Sequence, residues 1–306
     1  MGNENVEVIG VDVGYGLIKT VHSNFTTSVK DYGETKPPLM DRVVFFKGKY
    51  YSVGGDRSKA KVDKTADEDT YILTLAGIGE EMKLKGITKA NIVLSVGLPL
   101  ERCNGDTRTG LEDYYSREKE IRFSYEDIDY EITIERVVVN AQCVAGIIDM
   151  LQGKTLPKTC IIIDIGSWTI DILPIENYKP QQARAISLPN GVINCMNSCN
   201  NEIRRREGFD VSEGQIQQIM LGEKDALPPQ FSNIVQKVIS GYVKDIADTL
   251  MEYKYNIYTL PCIFMGGGAS VVKNYGKELF PNSSYLLDIS ANAVGYEKIA
   301  KTLIKK

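Results

Sequence analysis

The stretch Cys160–Pro174, CIIIDIGSWTIDILP, constrains this chain more than any other. It reads as an apolar strand, a glycine-containing turn and a second apolar strand. Yet Asp164 and Asp171 sit among Ile161, Ile162, Ile163, Ile165, Ile170, Ile172 and Leu173. An unpaired buried charge costs several kcal/mol or more. Each carboxylate therefore needs a partner, or it must face a wet cleft.

The same pattern opens the chain. Asp12 begins D-V-G-Y-G-L-I-K, and Asp164 begins D-I-G-S-W-T-I-D. Both read Asp, a β-branched residue, Gly, three variable residues, Ile and a polar residue. Lys19 and Asp171 occupy the matched last position. Two such hairpins predict two similar domains facing each other. A third feature, Gly266-Gly267-Gly268, follows an apolar strand expected over 259–264.

The chemistry follows from the turns. Gly14 and Gly16, or Gly166 with Ser167, let backbone N–H groups approach an anion with no Cβ in the way. Two such turns opposed across a cleft would grip the phosphates of a nucleotide. A carboxylate at each strand end, Asp12 and Asp164, would hold Mg²⁺ through water. Lys19 offers a point charge for phosphate oxygens. No G-x-x-x-x-G-K-[ST] run is present, so this is not a P-loop.

Strands and helices alternate along the chain, which predicts an α/β fold. Helices are expected over 70–85, 142–151, 191–207, 213–221, 230–253, 269–279 and 293–304. Leu17–Ser23 reads as the return strand of the first hairpin. Residues 24–41, polar and containing Pro37-Pro38, read as loop. Val43–Val53 reads as a hairpin about Lys47-Gly48, and 54–69 as a charged surface segment. The aromatic residues of that hairpin, Phe45, Phe46, Tyr50 and Tyr51, fit a filament contact or ordinary packing equally well.

Composition excludes several classes. A chain of 306 residues fits about two domains. The net charge of -4 gives no basic footprint, so direct nucleic-acid binding is not expected. No apolar run reaches the roughly 18 residues that a membrane helix needs. The opening MGNENVEVIG is polar and acidic, so neither a cleaved leader nor, with Val6 in place of Ser or Thr, myristoylation is expected. His22 is the single histidine, which argues against Ser-His-Asp and Cys-His catalysis. The six scattered cysteines form no CxxC and read as buried reduced thiols in a cytoplasmic protein.

At this point the sequence resembles the actin superfamily. GVDVGYGLIKT is similar to its first phosphate motif, IIIDIGSWTIDI to its second and IFMGGGAS to its adenosine motif. VVNAQCVAGIID and SANAVGYEKIAK resemble its two connecting helices. Short length, the Val96-Gly97-Leu98-Pro99 strand end and the D-I-G-x-x-T-x-D form resemble the bacterial ParM/StbA plasmid-segregation actins most.

The resemblance implies two ribonuclease-H-like domains flanking a nucleotide cleft. Domain I would be residues 1–156 with 288–306, carrying a small subdomain at about 30–90, and domain II residues 157–287. Asp12 would hold metal-bound water, and the backbone of Gly14, Tyr15, Gly16 and Leu17 would take phosphate, with Lys19 reaching the β- and γ-oxygens. Asp164 would sit near the metal and the attacking water. Gly166, Ser167, Trp168 and Thr169 would hold the γ-phosphate. Gln142 would orient water, as the glutamine of actin does where ParM has glutamate, and Asp171 keeps the ParM form where actin has histidine. Gly266, Gly267, Gly268 and Ala269 would receive ribose and α-phosphate at a helix N-terminus, with Glu213 and Gln217 lining the base.

The implied function is an ATPase, using ATP or alternatively GTP, that polymerises and segregates plasmid DNA. Its partners would be other copies of itself and a centromere-binding adaptor protein on the plasmid, with no membrane. Rival readings are a filament for cell shape or phage positioning, a small-molecule kinase with Asp106 as base, and a DnaK-type chaperone. The chaperone needs a peptide-binding domain, for which no segment is expected beyond the closing helix.

Overall fold

The computed structural model describes residues 6–38, 40–57, 68–223 and 225–304. The polar opening residues 1–5 and most of the charged segment expected over 54–69 lie outside the described residues.

The strands are β1 (Val6–Val13), β2 (Leu17–Lys19), β3 (Asn24–Thr26), β4 (Val29–Asp31), β5 (Val43–Phe46), β6 (Lys49–Val53), β7 (Lys89–Leu98), β8 (Glu120–Tyr125) and β9 (Ile128–Ala141) in the first half. The second half adds β10 (Thr159–Ile165), β11 (Ile170–Glu176), β12 (Lys179–Pro180), β13 (Ile186–Leu188), β14 (Cys262–Met265) and β15 (Ser283–Tyr285). The helices are α1 (Asp69–Lys85), α2 (Gly105–Ser116), α3 (Ile148–Gln152), α4 (Val192–Glu207), α5 (Glu213–Met220), α6 (Pro229–Glu252), α7 (Ala269–Tyr275) and α8 (Ala291–Ile304).

The chain divides into two compact units. Met1–Asp149 with Ser290–Lys306 form the first, and Met150–Ile289 the second. The first carries a sheet in the order β3-β2-β1-β7-β9-β8-β5-β6-β4, and the second one in the order β12-β11-β10-β14-β15. Each contains the same arrangement. β1 pairs antiparallel with β2 and parallel with β7, which pairs parallel with β9. β10 pairs antiparallel with β11 and parallel with β14, which pairs parallel with β15. This repeated hairpin-plus-parallel layout is the mixed α/β architecture the alternating pattern predicts.

β1 and β10 are interior strands paired on both sides, so both faces are apolar, as parallel pairing demands. Ile9, Val11 and Val13 point into the core of the first unit with α1 residues such as Tyr71, Ile72 and Leu75. On the opposite face Val8 packs with Val93, Val138 and Ala300 of α8. In the second unit Ile161, Ile163 and Ile165 join Ile170, Ile172 and apolar residues of α4, α6 and α7. Phe46 and Tyr51 of the β5–β6 hairpin are core residues, whereas Phe45 and Tyr50 form a half-buried cross-strand pair 4.6 Å between centroids.

Several local expectations need correction. The first return strand stops at Lys19 rather than Ser23. Thr20 Oγ1 accepts from Ser23 N–H at 3.0 Å, and this local turn outcompetes the ladder. The 24–41 loop contains β3 and β4. β14 begins at Cys262, because Pro261 has no N–H to give a ladder. The helix expected from Gln142 starts instead as a turn, then a 3₁₀ segment at Ala145–Ile147 and α3. Cys143 has φ +66°, which no right-handed helix accommodates. α7 ends at Tyr275, short of the expected 279, and Gly276 caps it.

Candidate functional site

The two hairpins share one register. Asp12 is the ladder partner of Lys19, and Asp164 of Asp171. Opposed residues of an antiparallel pair carry their side chains on the same face. Each hairpin therefore brings its two polar residues together at the end of an apolar strand. Asp12, Asp164 and Asp171 are only 2%, 6% and 4% exposed.

In the first unit the Asp12 carboxylate is held from two sides. Lys19 Nζ donates to Oδ2 at 2.9 Å, and Gln142 Nε2 donates to Oδ1 at 2.9 Å. Gln142 arrives from the end of β9, where its N–H donates to Leu98 O at 2.9 Å. Cys143 N–H donates to the buried Asn292 Oδ1 at 3.0 Å, which fastens the following turn to α8. The hairpin pair Asp12 and Lys19 and the distant Gln142, all expected at the site, thus form one hydrogen-bonded group. Two steps before Asp12, a Cβ at Gly10 would lie 2.3 Å from Ala293 O, so glycine lets α8 cross β1 closely there.

The turn of this hairpin is braced by a side chain. Gly14 N–H donates to Leu17 O at 3.1 Å, and a Cβ on Gly14 would lie 2.6 Å from that oxygen. Thr27 closes the turn from outside: its Oγ1 donates to Gly14 O at 2.7 Å and its N–H to Gly16 O at 3.0 Å. Tyr15, Gly16 and Leu17 therefore sit in a fixed loop beside Asp12 and Lys19.

In the second unit the turn is braced by a helix. Gly166 N–H donates to Thr169 O at 2.9 Å. The carbonyls of Gly166, Ser167 and Trp168 accept from Val192, Ile193 and Gly191 N–H at 3.1, 3.0 and 2.9 Å. Those three donors belong to the N-terminus of α4, which has no side-chain cap. The helix thus spends its orphan N–H groups on the turn. Among the described residues all peptides are trans. Planarity then points the N–H groups of Ser167, Trp168 and Thr169 away from α4. Consecutive outward N–H groups make an anion-binding concavity. Thr169 Oγ1 donates to Asp171 Oδ2 at 3.3 Å. The Trp168 side chain is 39% exposed.

The glycine run packs against the same strand end. β10 and β14 are parallel neighbours, with Asp164 in register with Met265. Gly266 has φ +79°, and a Cβ there would lie 2.3 Å from Asp164 Oδ1. Glycine is required at this position on both counts. Gly268 N–H donates to Ile165 O at 2.9 Å and Ala269 N–H to Gly266 O at 3.2 Å. Asp164, Asp171, the 166–169 turn and the 266–269 turn are therefore neighbours within one unit. Glu213 and Gln217 are exposed on α5, which Ser212 and Gln215 open with a capping box. α5 is tied to α7 at its other end, where Tyr275 Oη donates to Ile219 O at 2.6 Å.

Sequence reasoning missed Gly191, Thr27 and Asn292. Gly191 stood in an available signal, Pro189-Asn190-Gly191 ahead of a helix. Thr27 and Asn292 carry no local signal, because their partners are distant in sequence.

The model for the N-terminal domain of actin-like proteins matches residues 10–144. The model for the C-terminal domain of the archaeal MreB-like actin homologue matches residues 162–278. The chain belongs to the actin superfamily. The two matched regions contain both hairpins, Gln142 and the glycine run. No curated protein sequence matches the chain.

Solved structures agree on the actin-like fold. An archaeal actin homologue, Ta0583, in complex with ADP has a TM-score of 0.76 at 20% identity, covering 96% of this chain and 99% of its own. The filament structure of Alp12 gives 0.69 at 16%, covering 98% and 99%. Bacillus thuringiensis ParM with AMPPNP gives 0.68 at 15%, covering 97% and 99%. Among the described residues no helix is long and apolar enough to cross a membrane.

Proposed function

We propose that this actin-superfamily chain binds ATP with Mg²⁺, polymerises, and hydrolyses ATP within the filament. One observation supports the reading most: two hairpins with the same register, Asp12 opposite Lys19 and Asp164 opposite Asp171, each running through a braced glycine turn. Lys19 and the 14–17 turn take phosphate oxygens. The 166–169 turn takes the γ-phosphate through its outward N–H groups. Gln142 and Asp164 orient the attacking water, with Asp171 beside it. The 266–269 turn receives ribose and α-phosphate. Glu213 and Gln217 line the base.

The donor set fits Mg²⁺ held indirectly. Among the described residues no three His, Cys, Asp or Glu side chains cluster as a metal cage. Mg²⁺ typically uses one or two carboxylates, waters and substrate phosphates. Asp12 and Asp164 would supply those carboxylates through water. When bound, the ion would neutralise phosphate charge.

Filament formation draws support from the Alp12 structure, which is a filament. A heterologous interface that does not close gives an open helix of subunits. A plasmid-bound adaptor protein capturing filament ends, in the cytoplasm, completes the reading. The kinase alternative draws less support: Asp106 is exposed in the first turn of α2, capped by Asn104, where a carboxylate serves the helix dipole.

Pelleting and light scattering with Mg·ATP, alongside phosphate release, test the proposal. Polymer that forms with Mg·ATP and disperses as phosphate is released is the expected result. Turnover without polymer over a range of salt and protein concentration would contradict it.

A further inference from the structure

The brace behind the 166–169 turn is built with more care than a plain hairpin needs. Gly191 N–H donates to Trp168 O at 2.9 Å, between Val192 on Gly166 O and Ile193 on Ser167 O. A Cβ on Gly191 would lie 2.5 Å from both Trp168 N and Trp168 C, and 2.6 Å from Ser167 C. Real Cβ atoms do not approach backbone that closely, so the turn would have to move. The reason is space alone: Gly191 has φ -71° and ψ -178°, which any residue adopts.

The segment ahead of Gly191 is fixed as well. Tyr242 Oη, from α6, donates to Asn190 O at 2.9 Å. Asn194 Nδ2 donates to Pro189 O at 2.7 Å. Tyr242 is buried, and burial, with the Cys195 thiol nearby, raises its pKa. The hydroxyl therefore stays a donor at any working pH.

We infer that Gly191 and Tyr242 are positioning residues for the nucleotide: together they hold the 166–169 turn so that its N–H groups face the γ-phosphate. The chain of contact runs from α6 through Tyr242 to Asn190, then Gly191, then the Trp168 carbonyl. The inference rests on the reading of that turn as a phosphate site.

The test uses Trp168, the single tryptophan of the chain, as the reporter. Gly191→Ala and Tyr242→Phe are compared with Gly241→Ala, whose new Cβ meets nothing within 4 Å. Emission of Trp168 is read without nucleotide, and Mg·ATP affinity and thermal unfolding are read beside it. Gly191→Ala should shift the emission and weaken Mg·ATP by ~10-fold; Tyr242→Phe should weaken it ~3-fold, the effect of one lost hydrogen bond. Both should unfold within a few degrees of the parent, and Gly241→Ala should match the parent in emission and affinity. A folded Gly191→Ala with parental emission and affinity overturns the inference. If Gly191→Ala does not fold, parental affinity in Tyr242→Phe overturns it. If the parent chain itself does not bind Mg·ATP, the phosphate reading fails, while the emission shift still shows whether Gly191 holds the turn.

Discussion

Asp12 faces Lys19 across one hairpin, and Asp164 faces Asp171 across the other. The backbone places both pairs identically, yet the charges differ. The first is an attractive pair at 2.9 Å between buried Asp12 and half-buried Lys19, with Gln142 as a further donor. The second sets two carboxylates opposite each other, an arrangement that like charge destabilises. The braces differ to match. The first turn is held by a neighbouring threonine, the second by three N–H groups of a helix. The turn between the two acidic strand positions has the stiffer frame, and α4 supplies it.

The sharpest way to break this comparison is to make the first hairpin electrostatically like the second. Lys19→Asp puts a carboxylate opposite the buried Asp12 with no helix behind the turn. Breaking a buried pair costs about 3–5 kcal/mol, and the lower end applies with Lys19 only half-buried. The urea midpoint should fall accordingly; a midpoint within experimental scatter of the parent would show that the Lys19–Asp12 pair carries no stability.

Relieving the second hairpin should do the reverse. Asp164→Ala removes one of two opposed carboxylates, so thermal stability should hold or rise. Phosphate release should nevertheless drop by about 100-fold, the lower range for loss of a proton-transfer or water-orienting group. Loss of folding together with activity would make Asp164 structural.

Much of this was legible because hairpins are local. The offset from Asp12 to Lys19 and from Asp164 to Asp171 fixes both partners within one strand-turn-strand unit, so reading the pattern gave the ladder. Gln142 was expected at the site through family resemblance, and its side chain does donate to the Asp12 carboxylate. Its local structure was not legible, because the αL conformation at Cys143 answers to Asn292 on α8. The brace on the second turn was hidden for the same reason. It depends on where α4 begins and on Tyr242 from α6, and tertiary contact decides both.

Two smaller tests refine the account of the side-chain brace. Thr27→Val keeps shape and removes the Oγ1 donor to Gly14 O. It should cost about 1 kcal/mol by denaturant titration. A cost near zero would leave the Thr27 N–H to Gly16 O bond as the sole brace.

The return strand is also clasped behind Lys19. Buried Glu81 on α1 accepts from His22 N–H at 2.9 Å and pairs with His22 Nδ1 at 2.8 Å. Burial pushes the Glu81 pKa up, but hydrogen bonds from Thr20 and His22 and the His22 charge outweigh it and lower it below 4.5. A lowered folded pKa means the stabilisation is complete above the ordinary value and lost as pH falls through the folded one. His22→Ala should therefore cost about 1 kcal/mol near pH 6, with the difference shrinking below pH 4.5. An equal difference at pH 6 and pH 3 would assign the effect to packing rather than to the carboxylate.

Calorimetric titration of the chain with Mg·ATP, with Lys19→Ala and Gly166→Ala in parallel, tests the central claim that both hairpins hold one nucleotide. The account predicts a single site in the parent and weakened binding in both variants, each of which alters a different unit. Parental affinity in a folded form of either variant would contradict it.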